Sequence, residues 1–303
     1  MTDLHSKVMR KYFLMLAAVV MPLCLSGCDN KTVADQEDPW EWNDKPKPNP
    51  DGEDQDDGTV YYPKEKGALR LVSYNVGSFA KFMTNSTEMV ADMMNEIEAD
   101  IIGINEVDSC NTRHNVNQAK ELAAALGGWQ WRYARAMPYR GGAYGNAVLV
   151  PSSVKILDAY TIALPKGTGS EPRSIAVVET PDYVFGVAHL DHTSEESVIG
   201  QVNVVNDWAQ RLGITDKPVF FCGDMNSKPE SAAIKLLETK WTRLSSLENT
   251  ISSSAPTSCI DFVFHYKTSA PVKVLGAHTM TKFRKGDVTK ASDHLPVYVD
   301  VQF

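Results

Sequence analysis

The 303-residue sequence has no apolar run of bilayer length. Its longest, Tyr12–Leu23, holds about 12 residues where a membrane-spanning helix needs roughly 20. Cysteine is scarce. Cys24 and Cys28 lie near the N-terminus, and Cys110, Cys222 and Cys259 are the only others. They fit no metal-binding spacing, so no zinc site is supported. Cys222 and Cys259 each border an apolar, strand-like run and read as buried thiols. No repeat of solenoid length is present. A basic excess is missing as well, because the formal net charge is -8. That argues against a protein built to grip a long phosphate backbone, although a local basic patch is not excluded. No long apolar hairpin suited to entering a lipid surface is visible either.

The N-terminus carries information of another kind. Lys7, Arg10 and Lys11 precede the short apolar run, which is followed by Leu25-Ser26-Gly27-Cys28. A charged start, an apolar middle and small residues at a cleavage point read as an export signal over residues 1–27. Leu-Ser-Gly-Cys resembles a bacterial lipobox, and the resemblance implies cleavage before Cys28 and lipidation of that cysteine. An ordinary secretory signal is the alternative. Residues 28–58 then turn to Asp, Glu, Pro, Asn and Gly, with 11 acidic residues against 3 lysines. Such a segment has little apolar surface to bury and is expected to be a solvated, self-repelling tether, with Trp40 and Trp42 as exceptions that could dock. Residues 59–303 carry 24 basic and 26 acidic side chains, so the acidity belongs to the tether and the folded domain is nearly neutral. The expected setting is the bacterial cell envelope, with a monomeric domain held to the membrane by its lipid.

Within residues 59–303, Ala68–Asn75 alternates apolar and polar residues and predicts a half-buried strand. Helical spacing of Met89, Val90, Met93, Met94 and Ile97 predicts a helix over 87–99, followed by a buried strand over 100–106 that ends on a carboxylate. A second helix is expected over 118–126, closed by Gly127-Gly128. Strands follow over 130–135, 144–150, 154–163, 173–179 and 183–190, then a longer helix over 194–212. Pro218–Cys222 is a buried run that leads into Gly223-Asp224-Met225-Asn226-Ser227. The sequence after it reads as the first turn of another helix. Closing strands are expected over 260–265, 272–277 and 297–301. Strands outnumber helices, and the helices fall in two places. This predicts an α/β fold of four layers, two mixed β-sheets packed face to face and flanked by helices.

Polar residues at strand ends are the candidates for chemistry. Asn75, Glu106, His189, Asp224, Asn226, Asp261, Asp293 and His294 all sit at or beside a predicted strand edge. An acceptor-only carboxylate two residues from an amide, as in Asp224 and Asn226, could hold an activated oxygen beside a phosphoryl group. Each residue alone also has a plain structural role: a turn asparagine, a core histidine, a helix cap.

Their joint order says more. Val72-Ser73-Tyr74-Asn75-Val76, Ile104-Asn105-Glu106, His189-Leu190-Asp191-His192, Gly223–Ser227, Ile260–Phe264 and Ser292-Asp293-His294-Leu295-Pro296 together resemble the endonuclease/exonuclease/phosphatase superfamily. The matching stretches span residues 69–303. The resemblance implies the four-layer sandwich and a metal-dependent hydrolase of phosphate esters, most readily a phosphodiesterase. It implies Mg²⁺ as cofactor, with Mn²⁺ or Ca²⁺ as alternatives, and makes Glu106 a metal ligand, a role for which a hard carboxylate is suited. Asn75 would support the metal or the phosphate, and Asp293 would add a metal or histidine contact. His294 would act with Asp261, which can fix its tautomer and stabilise the imidazolium. Asp224 and Asn226 would orient the attacking water, and His189 would donate to a phosphoryl or leaving oxygen. Which histidine is base and which is acid stays open. Arg173 matches a phosphate-contacting arginine of family nucleases, and His192 is a second candidate contact. Arg140, Tyr144 and Asn146 could line the substrate side, with core or turn roles as alternatives. The near-neutral domain favours a small phosphodiester over a long nucleic acid. The rival from another class is an inactive copy of the fold, tethered as a binding module.

Overall fold

The computed structural model describes residues 59–303. The export signal, the lipobox with Cys28, and the acidic tether with Trp40 and Trp42 lie outside the described residues.

Two six-stranded mixed sheets make the body of the fold. The first contains β1 (Leu69–Asn75), β2 (Ile101–Ser109), β3 (Gln130–Tyr139), β4 (Gly142–Val150), β11 (Lys273–Thr279) and β12 (Val297–Gln302), in the order β11-β12-β1-β2-β4-β3. The second contains β5 (Asp158–Leu164), β6 (Arg173–Glu179), β7 (Val184–Ala188), β8 (Val219–Asp224), β9 (Trp241–Arg243) and β10 (Asp261–Tyr266), in the order β5-β6-β7-β8-β10-β9. Each sheet has one parallel pair at its centre, β1 with β2 and β7 with β8. Helices α1 (Thr87–Glu96) and α2 (Gln118–Ala125) cover the outer face of the first sheet. Helices α3 (Glu195–Leu212) and α4 (Ala232–Lys240) cover the second. A third apolar layer, with Leu71, Val148, Phe185, Val187, Phe220 and Val299, fills the space between the sheets. The four-layer sandwich expected from the sequence is therefore the fold. Among the described residues no helix is long and apolar enough to cross a membrane.

Local signals explain the elements. Ser194 and Ser231 cap α3 and α4 through their hydroxyls, which accept from the backbone N–H of Ser197 and Ile234. Gly213 closes α3 in the left-handed conformation. The differences from expectation are informative. β1 is not half-buried: six of its seven residues are buried, because it lies mid-sheet between a helix layer and the other sheet. Its polar alternation goes inward. Arg70 forms a buried ion pair with Asp300 of β12, at 2.7 and 2.6 Å, and its remaining N–H groups reach the carbonyls of Tyr62, Pro63 and Ile97. The guanidinium also lies 4.2 Å from the Tyr298 ring centroid. α1 stops at Glu96 rather than residue 99, and β5 starts at Asp158 rather than 154. The short β9 and a four-residue helix, α5 (Val288–Ala291), had no periodic signal long enough to announce them.

Candidate active site

The C-terminal ends of both central parallel pairs open on the same edge of the sandwich. Asn75 ends β1, Asp224 ends β8, and Asp261 opens β10 directly opposite Asp224 in the antiparallel register. Glu106 is placed by an irregularity. The β2–β4 pairing shifts between Ile104 and Val107, and Glu106 takes a left-handed φ of 60°. Such a bulge re-aims a side chain out of the ladder, here towards the cleft. His294 arrives on the turn between α5 and β12. Ser292 fixes that turn: its hydroxyl donates to the Asn75 carbonyl at 2.7 Å and accepts from the His294 N–H at 3.2 Å.

Gly223 explains the glycine of the Gly-Asp-x-Asn stretch. Its φ is 136°, and a Cβ there would stand 1.8 Å from the Ala188 carbonyl oxygen. Only glycine lets β8 lie this close to β7 before Asp224 turns into the site.

Asp224 Oδ2 is the focus. Asn75 Nδ2 donates to it at 3.0 Å, His189 Nε2 lies at 3.4 Å, and His294 Nε2 at 3.6 Å. The other oxygen of Asp224 accepts the Asn226 N–H at 2.8 Å. Asn75 Nδ2 also reaches Glu106 Oε1 at 3.0 Å, while Asn75 Oδ1 accepts from the Gly77 N–H at 3.1 Å. Asn75 thus turns its amino group to the carboxylates, an orientation that gathers them and leaves its own oxygen engaged elsewhere. On the far side of His294, Nδ1 meets Asp261 Oδ2 at 2.9 Å.

The two histidines sit in opposite fields. Burial lowers the pKa of both, and at His189 the positive charges of Arg173, His294 and His192 reinforce that, so it is neutral at pH 7. At His294 burial is overcome by Asp261, Asp224 and Asp293, which carry it up to about 10 and make it an imidazolium. Asp224 is pushed upward by burial and by Asp261, against the opposing pull of His294, Asn226 and Asn75. A buried carboxylate raised in this way is suited to accept a proton near neutral pH.

Arg173, the first residue of β6, is buried beside this centre. Its Nη2 lies 3.1 Å from His192 Nδ1 and 3.1 Å from the Glu171 carboxylate, while its Nε has no partner. His189 Nδ1 and Asp261 Oδ1 are likewise buried without partners. Unsatisfied buried polar atoms are uncommon in folded proteins, and three of those among the described residues lie at this edge. Tyr144, partly buried on β4, stands in the field of Glu106, Arg173, Glu171 and Arg113.

Asn146 is not on the substrate side. It is buried between the sheets, where its oxygen accepts from Asn105 at 2.9 Å and its amino group donates to the Ser174 carbonyl at 2.9 Å. Asn105 in turn accepts the Asp224 N–H at 2.9 Å. This amide chain stitches the two sheets together beneath the catalytic edge. Arg140 is exposed at the β3–β4 turn, 5.6 Å from the Tyr139 ring centroid. The sequence reading also passed over Asn105, Ser292 and Lys81. The Lys81 ammonium lies 2.8 Å from Asp293 Oδ2. None of the three sits in a periodic pattern, and only Asn105 and Ser292 fall inside a matched stretch.

The profile of the endonuclease/exonuclease/phosphatase family matches residues 72–294, and the chain belongs to that family. Its members are phosphoric ester hydrolases that depend on divalent metals. A Bacteroides thetaiotaomicron mannosyl-6-phosphatase is similar over 78% of this chain and 100% of its own, at 20% identity and a TM-score of 0.64. Another Bacteroides thetaiotaomicron member of the family covers 77% of this chain and 94% of its own, at 19% identity and a TM-score of 0.63. D. rerio TDP2, complexed with a single-strand DNA product, covers 78% and 99% at 17% identity and a TM-score of 0.60. At these identities the likeness is one of fold. A comparison with curated proteins finds no match.

The donor set suits a hard divalent cation. Glu106 is half-buried at the edge with one oxygen engaged by Asn75, and Asp293 offers a second carboxylate. Ligating atoms of Asp224, Asp261 and His294 also lie within 4.8 Å of one another. That trio is already knit by the imidazolium between two carboxylates, and a protonated ring has no lone pair for a metal.

Proposed function

We propose that this chain is a divalent-metal-dependent hydrolase of small phosphoric esters, with phosphodiesters as the first substrate class. The convergence of Asn75, His189 and His294 on one oxygen of Asp224 carries the reading. Asp224, raised by burial and by Asp261, takes the proton of the attacking water, and the neighbouring Asn226 holds the turn that presents it. Asn226 does this through its backbone N–H to Asp224 and its amino group, which donates to the Leu190 carbonyl at 3.0 Å. His294, charged and backed by Asp261, offers an N–H to the phosphoryl group. His189 is neutral, and its Nε2 contact with Asp224 places the proton on that nitrogen, ready to hydrogen-bond a phosphoryl or leaving oxygen. Arg173 presents its unpartnered Nε to a phosphoryl oxygen, a task suited to a planar, permanently charged fork. Glu106 and Asp293 would hold the divalent cation, which when bound supplies charge to neutralise the phosphoryl and leaving oxygens. The near-balanced charge of residues 59–303 supports a small substrate over a nucleic-acid duplex.

The test couples Asp261 and His294. If they act as a unit, Asp261→Asn and His294→Ala each lower kcat/KM by about 10²–10⁴-fold. The double variant is then little worse than the poorer single one. Rates are measured with Mg²⁺ on bis-p-nitrophenyl phosphate, p-nitrophenyl phosphate, a sugar phosphate, DNA and sphingomyelin, with folding checked by circular dichroism. Independent, multiplicative losses rule out the pairing. No hydrolysis of any ester by the wild type would favour the binding-module alternative.

A further inference from the structure

Directly after Asn75 the backbone does something costly. Gly77, Ser78 and Phe79 take φ values of 51°, 56° and 54°, three successive left-handed residues of which two are not glycine. Each such non-glycine residue costs roughly 1–2 kcal/mol, so a run persists only when its surroundings hold it. They do. Gln118 Nε2 donates to the Ser78 carbonyl at 2.6 Å, Arg113 Nη2 donates to the Ser78 hydroxyl at 2.8 Å, and Phe79 is wholly buried. Arg113 is itself locked by Asp108 at 2.7 and 2.9 Å. The turn presses against the catalytic edge at Gly77, where a Cβ would stand 3.1 Å from Lys81 Cβ and 3.6 Å from Asp293 Oδ1. Its effect is to bring Lys81 back over the site, with its ammonium on Asp293 and in the field of Glu106.

We infer that Lys81 is a tethered counter-ion for the two carboxylates, occupying the charge position that a divalent cation must take over. The inference rests on the reading that Glu106 and Asp293 face the cation. The Lys81 ammonium pairs with Asp293 at 2.8 Å and stands in the field of Glu106, so it offsets part of the negative charge that the two carboxylates bring to this edge. The Lys81 side chain is 44% exposed, so it can swing into solvent without unpacking anything. Lysine suits the task, as a point charge on a flexible stem rather than a fork that locks a carboxylate in place. Lys81 is thus a positioning residue that sets metal affinity by competition. It takes no proton from the substrate.

The experiment is calorimetric titration of Mg²⁺ and Mn²⁺ into wild type, Lys81→Met, Lys81→Arg and Glu106→Gln, with no phosphate ester present. Removing an exposed ion pair that the metal must displace should tighten Kd about fivefold in Lys81→Met. Lys81→Arg keeps the competing charge and stays near wild type. The gap between wild type and Lys81→Met should narrow as salt rises, because the competition is electrostatic. In thermal melts, added Mg²⁺ should raise Tm more for Lys81→Met than for wild type. Equal or weaker binding by Lys81→Met overturns the inference, as does a gap that salt leaves unchanged. Wild-type affinity in Glu106→Gln is a different failure. It would remove the cation from this edge and sink the metal assignment of the proposed function, whatever Lys81 does.

Discussion

Two buried arginines mark opposite designs in one molecule. Arg70 lies inside the sandwich with all its N–H groups engaged: two on Asp300, three on backbone carbonyls, and an aromatic ring against the guanidinium. Arg173 is equally hidden, yet it has a side chain contact at only one nitrogen and leaves its Nε bare. The first has nothing left to offer a ligand. The second is an incomplete network, which the proposed function assigns to a phosphoryl oxygen. Burial of the charge therefore does not distinguish these two arginines; the completeness of their hydrogen bonding does.

The contrast can be broken from either side. Arg70→Met has the largest expected effect, because it strands the Asp300 carboxylate in the core. Loss of one partner from a buried pair costs about 3–5 kcal/mol, read as a lower urea midpoint at unchanged m-value. Turnover per folded molecule should hold. Replacing both partners with apolar residues, as in Arg70→Met with Asp300→Leu, should recover most of the stability; failure to recover would mean that the pair fixes geometry that apolar packing cannot. Arg173→Met should do the reverse. With a transition-state contact removed, kcat/KM falls by about 10²–10³-fold, and Tm stays where it was or rises. A Tm drop of the size expected for Arg70→Met would assign Arg173 to the scaffold instead.

Asp108 gives the smallest and most graded effect, and it tests whether the turn before Lys81 is braced as described. Burial would raise its pKa, but His114 and Arg113 more than offset this and hold it at about 2, below its ordinary 3.8. A depressed carboxylate stabilises the fold above its unfolded pKa and loses that contribution as pH falls towards the folded value. Between about pH 4 and pH 2 the wild type should therefore lose Tm more steeply than Asp108→Asn, by about 2–5 °C. Parallel melting curves through that window would show the carboxylate to be unimportant to the brace.

Much of the site was legible because several of its side chains end or begin a strand. Asn75, Asp224 and Asp261 were readable as polar residues bounding apolar runs, and the structure brings them with Glu106, His189 and His294 to one edge. What was not legible depends on the third dimension. Alternation in β1 said that Arg70 faces the other way from Leu71, but not that another protein layer waits on that side. Asn146 sits in a strand beside a Gly-Gly turn, and nothing in its neighbours reveals that its partners are Asn105 and Ser174, 41 and 28 residues away. Lys81 lies in a stretch without periodicity, and its proximity to Asp293 follows from a left-handed turn that no sequence pattern announces. Residue type and order carried the chemistry; the register between sheets carried the rest.

The span of the site along the chain has a consequence for how the molecule comes into being. Asn75 touches Asp224 and His294, partners 149 and 219 residues further on. β1, the first strand, pairs with β12, the last. A chain emerging from the ribosome can form α3 and the β7–β8 pair early, yet its first sheet stays open along β1 until β12 has been made. Closing loops of that length carries an entropic cost that no local contact offsets, so folding should be slow and its last step should be a docking of distant ends. Catalysis is then a late event in the life of each molecule. No fragment lacking either end can be active, and the appearance of turnover during refolding should coincide with closure of the first sheet rather than with the gain of helix.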